Sequence, residues 1–171
     1  MATTTSDIAV VTGAASGIGL ATTEVLAARG IDVIAIDRDE ERLAALENRG
    51  RIHPLHGDVS ANATWNHVVD RARTDLGGVP NMYVANAATV IVGSTLELSD
   101  DDWHTLFETN LMGTVRGARA LLPGMIAAGK GAVVAVGSID GFMGVQKLST
   151  IGKTIWGNIE NSHQFWKLGK L

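Results

Sequence analysis

Cysteine is absent from the 171 residues, which rules out a disulfide framework and thiolate metal sites and fits a reducing compartment. Long apolar runs are absent too. Nothing approaches the ~18 consecutive apolar residues of a spanning helix, and residues 1–7 carry no basic region ahead of the apolar run at 8–11. The expected location is the cytoplasm, with no membrane partner. Basic charge is not in excess: 14 Lys and Arg stand against 18 Asp and Glu, for a formal net charge of -4. No polyanion-binding surface is indicated, so nucleic acid is not an expected partner. His-Glu-x-x-His and carboxylate clusters are missing, and His53 and His56, three apart on a predicted strand, point to opposite faces. No metal site is expected. Aromatic residues make up 5% of the chain, with a single tyrosine, Tyr83, which reads as strand packing.

What is present is a 46% apolar chain in which short Val- and Ile-rich runs alternate with longer segments of helical period. That alternation predicts an α/β fold, a doubly wound parallel sheet with helices on both faces. Strands are predicted at 8–12, 32–36, 52–56, 82–86 and 132–136, and helices at 18–29, 40–49 and 62–76. Gly30, Gly50 and the pair Gly77 and Gly78 follow the three helices, where a left-handed C′ residue is wanted. Ser99 with Asp102 resembles a capping box opening a fourth helix. Its stripe Trp103, Leu106, Phe107 and Leu111 is accounted for by core packing, and its regularity is expected to loosen at Pro123 and Gly124. Beyond about Gly144 the alternation stops. Residues 1–150 thus read as one dinucleotide-binding domain and residues 151–171 as a divergent tail that is not a domain.

The segment directly after the first strand reads Thr12-Gly13-Ala14-Ala15-Ser16-Gly17-Ile18-Gly19 and opens into a helix. In that context it is a dinucleotide pyrophosphate loop. Gly13 suits the tight turn, Gly17 the close approach of backbone to phosphate, and Gly19 the close packing of helix on sheet, while free N–H groups at the helix start favour an anion. A nucleotide-triphosphatase loop is excluded, because Lys followed by Ser or Thr does not come after the last glycine. Asp37 ends the second strand, eighteen residues beyond Gly19, near the spacing at which an acid meets the adenosine ribose. Its charge would repel a 2′-phosphate, which points to NAD as the cofactor, with the cation of neighbouring Arg38 pulling the other way. The alternative for Asp37, a merely solvated strand end, carries less weight than the ribose contact. Asp58 and Val59 offer the adenine a carboxylate and an apolar contact, or else Gly57-Asp58 simply makes a turn.

With this glycine spacing, then Asp37, then Asp58-Val59, then Asn86-Ala87-Ala88 after the fourth strand, the chain resembles a classical short-chain dehydrogenase/reductase from about Ile8 to Gly144. The resemblance implies a Rossmann-type sheet of order 3-2-1-4-5 continued by two more strands, a nicotinamide cofactor, and interconversion of an alcohol and a carbonyl. It implies cofactor-binding roles for Gly13, Ser16, Gly17, Ile18, Gly19, Asp37, Asp58, Val59, Asn86 and Ala87. It also implies that Ser138 hydrogen-bonds the substrate oxygen and that Asn110 helps hold a water of the proton relay. From the residues alone, Ser138 also reads as the end of a strand, and Asn110 as an asparagine that bonds locally within its helix.

The resemblance breaks where the family places its tyrosine and lysine, thirteen and four residues further on, because Ile151 and Ile155 stand there. The family's later strands and most of its substrate pocket have no counterpart in the sequence. Truncation, an altered reading frame and a decayed copy all fit. Two functions therefore stay open: an NAD-dependent oxidoreductase whose activity is weak or lost, and a non-catalytic dinucleotide-binding or interaction module. Without the later strands, residues 132–136 form an edge through which copies could self-associate.

Overall fold

The structure, a computed structural model, describes residues 7–138. Five parallel strands, β1 (Ile8–Thr12), β2 (Asp32–Asp37), β3 (Ile52–His56), β4 (Met82–Ala85) and β5 (Ala132–Ala135), form one sheet of order β3-β2-β1-β4-β5. Both faces of β1 are buried from end to end, as its unbroken apolar composition requires of a central parallel strand. The order reverses between β1 and β4. That switch point leaves a crevice beyond the carboxyl ends of these strands, where ligands bind in open α/β sheets.

Alternation along each strand divides the core into two layers. Ile8, Val10, Ile34, Ile36 and Tyr83 face one side and pack with Trp65, Val68, Leu121 and Met125. These come from α3 (Asn62–Thr74) and α5 (Gly113–Ala127). Ala9, Val11, Val33, Ala35 and Ile52 face the other side, against Leu20 and Leu26 of α1 (Gly17–Ala28) and Leu43 of α2 (Glu40–Ala44). Tyr83 is 1% exposed and stacks edge-on against Trp65 at 5.6 Å. Its role in packing is plain, since α5 passes so close that a Cβ on Gly117 would lie 2.3 Å from its hydroxyl.

Three expectations need correction. The second helix ends at Ala44 and not Arg49, because Asn48 adopts a left-handed φ of 61° and the chain turns before reaching Gly50. The fourth helix does open on the capping box, with Ser99 Oγ accepting from Asp102 N and Asp102 Oδ2 from Ser99 N. It begins as α4 (Asp100–Leu106), but it loosens at a π turn, Phe107–Met112, and then runs as α5 straight through Pro123 to Ala127. Proline disrupts only its own hydrogen bond there, and buried Leu121 and Met125 hold the helix to the core on either side. The aromatic stripe is also only partly core: Leu106 is buried, whereas Trp103 and Phe107 stack on each other at 6.1 Å in partial contact with solvent.

Candidate functional site

The turn from β1 into α1 shows why three glycines occupy it. Gly13 has φ 64°, and a Cβ there would lie 2.9 Å from Asn86 Nδ2. At Gly19 a Cβ would meet the Gly13 carbonyl oxygen at 2.0 Å, so helix and turn touch through bare backbone. Gly17, at φ 50°, has nothing within 4 Å of its Cβ position. Open space there, next to the start of α1, leaves the backbone accessible to an anion. Ser16 stands at the N-cap with no side-chain capping bond, and the first turn of α1 has no acidic residue. The positive end of the helix thus carries neither a Ser16 cap nor an acid of its own first turn, which fits a diphosphate.

Thr12 and Asn86 fasten the loop to β4. Thr12 Oγ1 accepts from the backbone N–H groups of Asn86 and Ala87, both at 3.0 Å. Asn86 Nδ2 donates to the carbonyls of Thr12, at 3.0 Å, and Gly13, at 3.3 Å. Asn86 thus shapes the loop from the side. The part of Thr12 was not visible in the sequence, because its partners lie more than seventy residues away.

A cleft of about 270 Å³ opens in front of the loop. Gly13, Ser16, Asp37, Asp58, Val59 and Ala87, six of the residues expected to bind cofactor, line it. Gly19 is buried and Asn86 half-buried outside that lining, while Gly17 and Ile18 are exposed at the start of α1. Asp39, Arg42 and Thr109 also line the cleft. The signal for Arg42 was its place one turn into α2 after Asp37, and for Thr109 its adjacency to Asn110.

Asp37 is more than a solvated strand end. One carboxylate oxygen accepts from Ala15 N at 2.9 Å and the other from Asp39 N at 3.0 Å. Of the two nearby cations, Arg42 pairs with Asp39 at 3.3 Å. Arg38 lines the cleft itself, and its charge also acts on Asp58. Asp58 does make a turn, with Oδ1 accepting from both the backbone and the hydroxyl of Ser60. Partial burial works against ionisation of Asp58, but the Ser60 bonds and the charges of Arg38 and Arg116 outweigh it and hold the carboxyl below its ordinary range. Val59 is buried against Gly113, where a Cβ would come within 2.7 Å of it. Asp58 and Val59 therefore form one rigid wall of the cleft.

At the other end of the crevice, Asn110 lies in the π turn and is 5% exposed. Its Oδ1 accepts from Thr89 N at 2.8 Å and its Nδ2 donates to Thr89 O at 3.0 Å. The side chain thus ties the helix to the chain leaving β4. Ser138 follows β5 at the same edge of the sheet and is half-buried. Ile151 and Ile155 lie outside the described residues. Tyr83 offers no replacement for a phenol at the site, because burial shields its hydroxyl and pushes its pKa up. His53 Nε2 lies 3.0 Å from Asp32 and His56 Nε2 3.2 Å from the Arg38 carbonyl. Among the described residues no three His, Asp or Glu side chains gather around one point, and no helix is long and apolar enough to cross a membrane.

Comparison with known proteins places this geometry. An uncharacterised oxidoreductase of Mycobacterium tuberculosis is 38% identical over 132 residues, which cover 77% of this chain and 51% of that protein. The chain thus spans about half the length of that relative. The structure of actinorhodin polyketide ketoreductase with NADPH superposes with a TM-score of 0.89 at 30% identity, covering 99% of this chain and 68% of that one. A short-chain dehydrogenase/reductase of Burkholderia phymatum in complex with NAD superposes with a TM-score of 0.88 at 25% identity, covering 93% and 58%. The short chain dehydrogenase family model matches residues 7–152, and with the Rossmann-type sheet, the glycine loop and the switch-point cleft it makes this chain a member of that family.

Proposed function

We propose that this chain binds NAD in preference to NADP and represents an oxidoreductase acting on an alcohol or carbonyl, with its own hydride transfer weak or lost. The observation that carries the cofactor reading is the Asp37 carboxylate, fixed over the cleft by two backbone N–H groups. A carboxylate so held keeps lone pairs for ribose hydroxyls. Its charge opposes a 2′-phosphate, against the pull of the Arg38 cation that also lines the cleft, and the other lining cation, Arg42, is already paired with Asp39.

When bound, the nicotinamide supplies the acceptor or donor of a hydride. The chain's own residues hold and orient it. Gly13, Gly17 and the start of α1 receive the diphosphate, Asp37 the ribose, and Asp58 with Val59 the adenine. Ser138 holds the substrate oxygen, and Asn110 sets the backbone around a relay water. Ile151 and Ile155 carry no proton to exchange, so residues 151–171 read as a divergent tail beyond the binding domain. That same substitution favours a second reading, a dinucleotide-binding or interaction module without turnover. The partners proposed are a small-molecule substrate and, through the edge of β5 where Val134 is 54% exposed, a second copy. The proposed location is the cytoplasm.

Calorimetric titration with NAD and NADP tests the cofactor reading, and steady-state turnover on secondary alcohols and ketones, with Ser138→Ala as control, separates the two functions. Ser138-dependent turnover supports the enzyme; NAD binding without turnover supports the module. Light scattering at about 100 µM, where unprotected edges commonly associate, reads self-association.

A further inference from the structure

The helix that carries Asn110 is interrupted by its π turn, Phe107–Met112, and one ion pair spans the interruption. Arg116 Nη2 donates to Glu108 Oε2 at 2.5 Å, with the two side chains 18% and 27% exposed. Around a regular α-helix, residues eight positions apart lie about 80° from each other. A π turn takes up one extra residue, so here the same eight positions complete about two full turns and share a face. The main chain agrees, since Gly113 N donates to Glu108 O, five residues back. Arg116, leaning toward the helix start as helical side chains do, then reaches Glu108. The pair therefore fits the π register and not the α register.

Stability alone does not account for it. Arg116 Nη1 is buried with no hydrogen-bond partner among the described residues. An ion pair taken out of water at that cost is often no more stabilising than an apolar pair of the same size, and fixing a register is its best attested use. Here the register governs the two residues that follow Glu108. Thr109 lines the cleft, and Asn110 grips both backbone groups of Thr89. Loss of the π turn would rotate them relative to α5 by up to about 100°. Arg116 also lies one turn beyond Gly113, which packs on Val59, and its charge acts on Asp58.

We propose that the Glu108–Arg116 pair locks the π turn in register and so places Thr109 at the cleft and Asn110 on Thr89, making both members positioning residues of the dinucleotide site. The part that concerns cofactor rests on reading the cleft as the NAD site. The lock itself is measured without cofactor.

Amide exchange at Thr89, with Ala15 as the distant reference, is followed in the full cofactor-free chain and in Arg116→Met, Glu108→Ala, their double variant and Arg116→Lys. Expected is exchange at Thr89 about tenfold or more faster in each of the first two, no further increase in the double variant, and an unchanged rate at Ala15. Because only Nη2 is engaged, the ammonium of Arg116→Lys should keep Thr89 within about threefold of the parent rate. Calorimetric NAD affinity should fall about threefold or more in Arg116→Met and Glu108→Ala and be retained in Arg116→Lys. Unchanged exchange at Thr89 in both single variants, additive effects in the double variant, or acceleration at Ala15 equal to that at Thr89 would overturn the lock. Faster exchange at Thr89 with undiminished NAD affinity would overturn the positioning of the cleft. Failure of the parent chain to bind NAD overturns the cofactor reading instead, and exchange alone then decides the lock.

Discussion

The carboxylate of Asp37 holds the backbone N–H of Ala15 at 2.9 Å, joining the end of β2 to the glycine loop across twenty-two residues of sequence. One side chain thus serves both the shape of the cleft and its charge. Asp37→Ala is expected to lower stability by about 1–3 kcal/mol, since Ala15 N–H loses its partner. It should also narrow the preference for NAD over NADP by tenfold or more. Denaturant melts and paired calorimetric titrations measure the two effects. Equal affinities for both cofactors in the parent chain would remove the assignment.

The glycines separate folding from binding. Gly19→Ala places a Cβ 2.0 Å from the Gly13 carbonyl oxygen, and neither backbone can yield, so the variant is expected to lose stability at the upper end of the about 1–3 kcal/mol of overpacking, or more. Gly17→Ala meets no atom and costs only its left-handed φ, about 1–2 kcal/mol. Its Cβ enters the space assigned to phosphate, so NAD affinity should fall tenfold or more while the fold survives. Circular dichroism with calorimetry on the two variants checks the contrast.

Asn110→Ala removes both bonds to Thr89. A buried donor and acceptor are left unmatched, at an expected cost of about 1–3 kcal/mol each before relaxation. Amide hydrogen exchange at Thr89 should accelerate, and exchange at Ala15, at the far end of the cleft, should not. Unchanged protection at Thr89 would mean that another group holds the segment leaving β4.

Acid should weaken the fold through depressed carboxylates. Hydrogen bonds from Lys130 and from Asn81 hold Asp7 below its ordinary range. At Asp58 the Ser60 bonds and cationic neighbours outweigh a partial burial that acts in the opposite direction. Because both groups are depressed in the folded state, their stabilisation is complete above the ordinary carboxyl pKa and is lost as pH falls through the folded values. Urea midpoints are expected to fall between about pH 5 and about pH 3. Lys130→Met should reduce that slope.

Hydride transfer is expected to be at least about a hundredfold slower than in a relative with an intact proton donor, because a positioned acid or base contributes about 10² to 10⁴ in rate. Tyr83 is sealed under α5 and cannot substitute. Turnover near the enzyme median of about 10 s⁻¹, persisting in Tyr83→Phe, would show that another donor completes the site.

The strands, the glycine loop and the Ser99–Asp102 capping box were legible in the sequence because each depends on residues close together in the chain. Alternation of apolar residues specifies a strand, a glycine specifies a permitted φ, and a hydroxyl three residues from a carboxylate specifies a cap. The order of β1 and β4 about a switch point, and hence the place of the cleft, also followed once those signals matched a family. Tertiary structure alone decided that Asp37 grips Ala15, that Thr12 and Asn86 lock the loop to β4, and that Asn110 reaches Thr89. It also put the helix irregularity at Phe107–Met112 and not at Pro123. Each of these joins groups twenty or more residues apart or depends on what the helix packs against. No local propensity encodes such a pairing, because it becomes favourable only after the sheet and its covering helices have brought the partners within hydrogen-bonding distance.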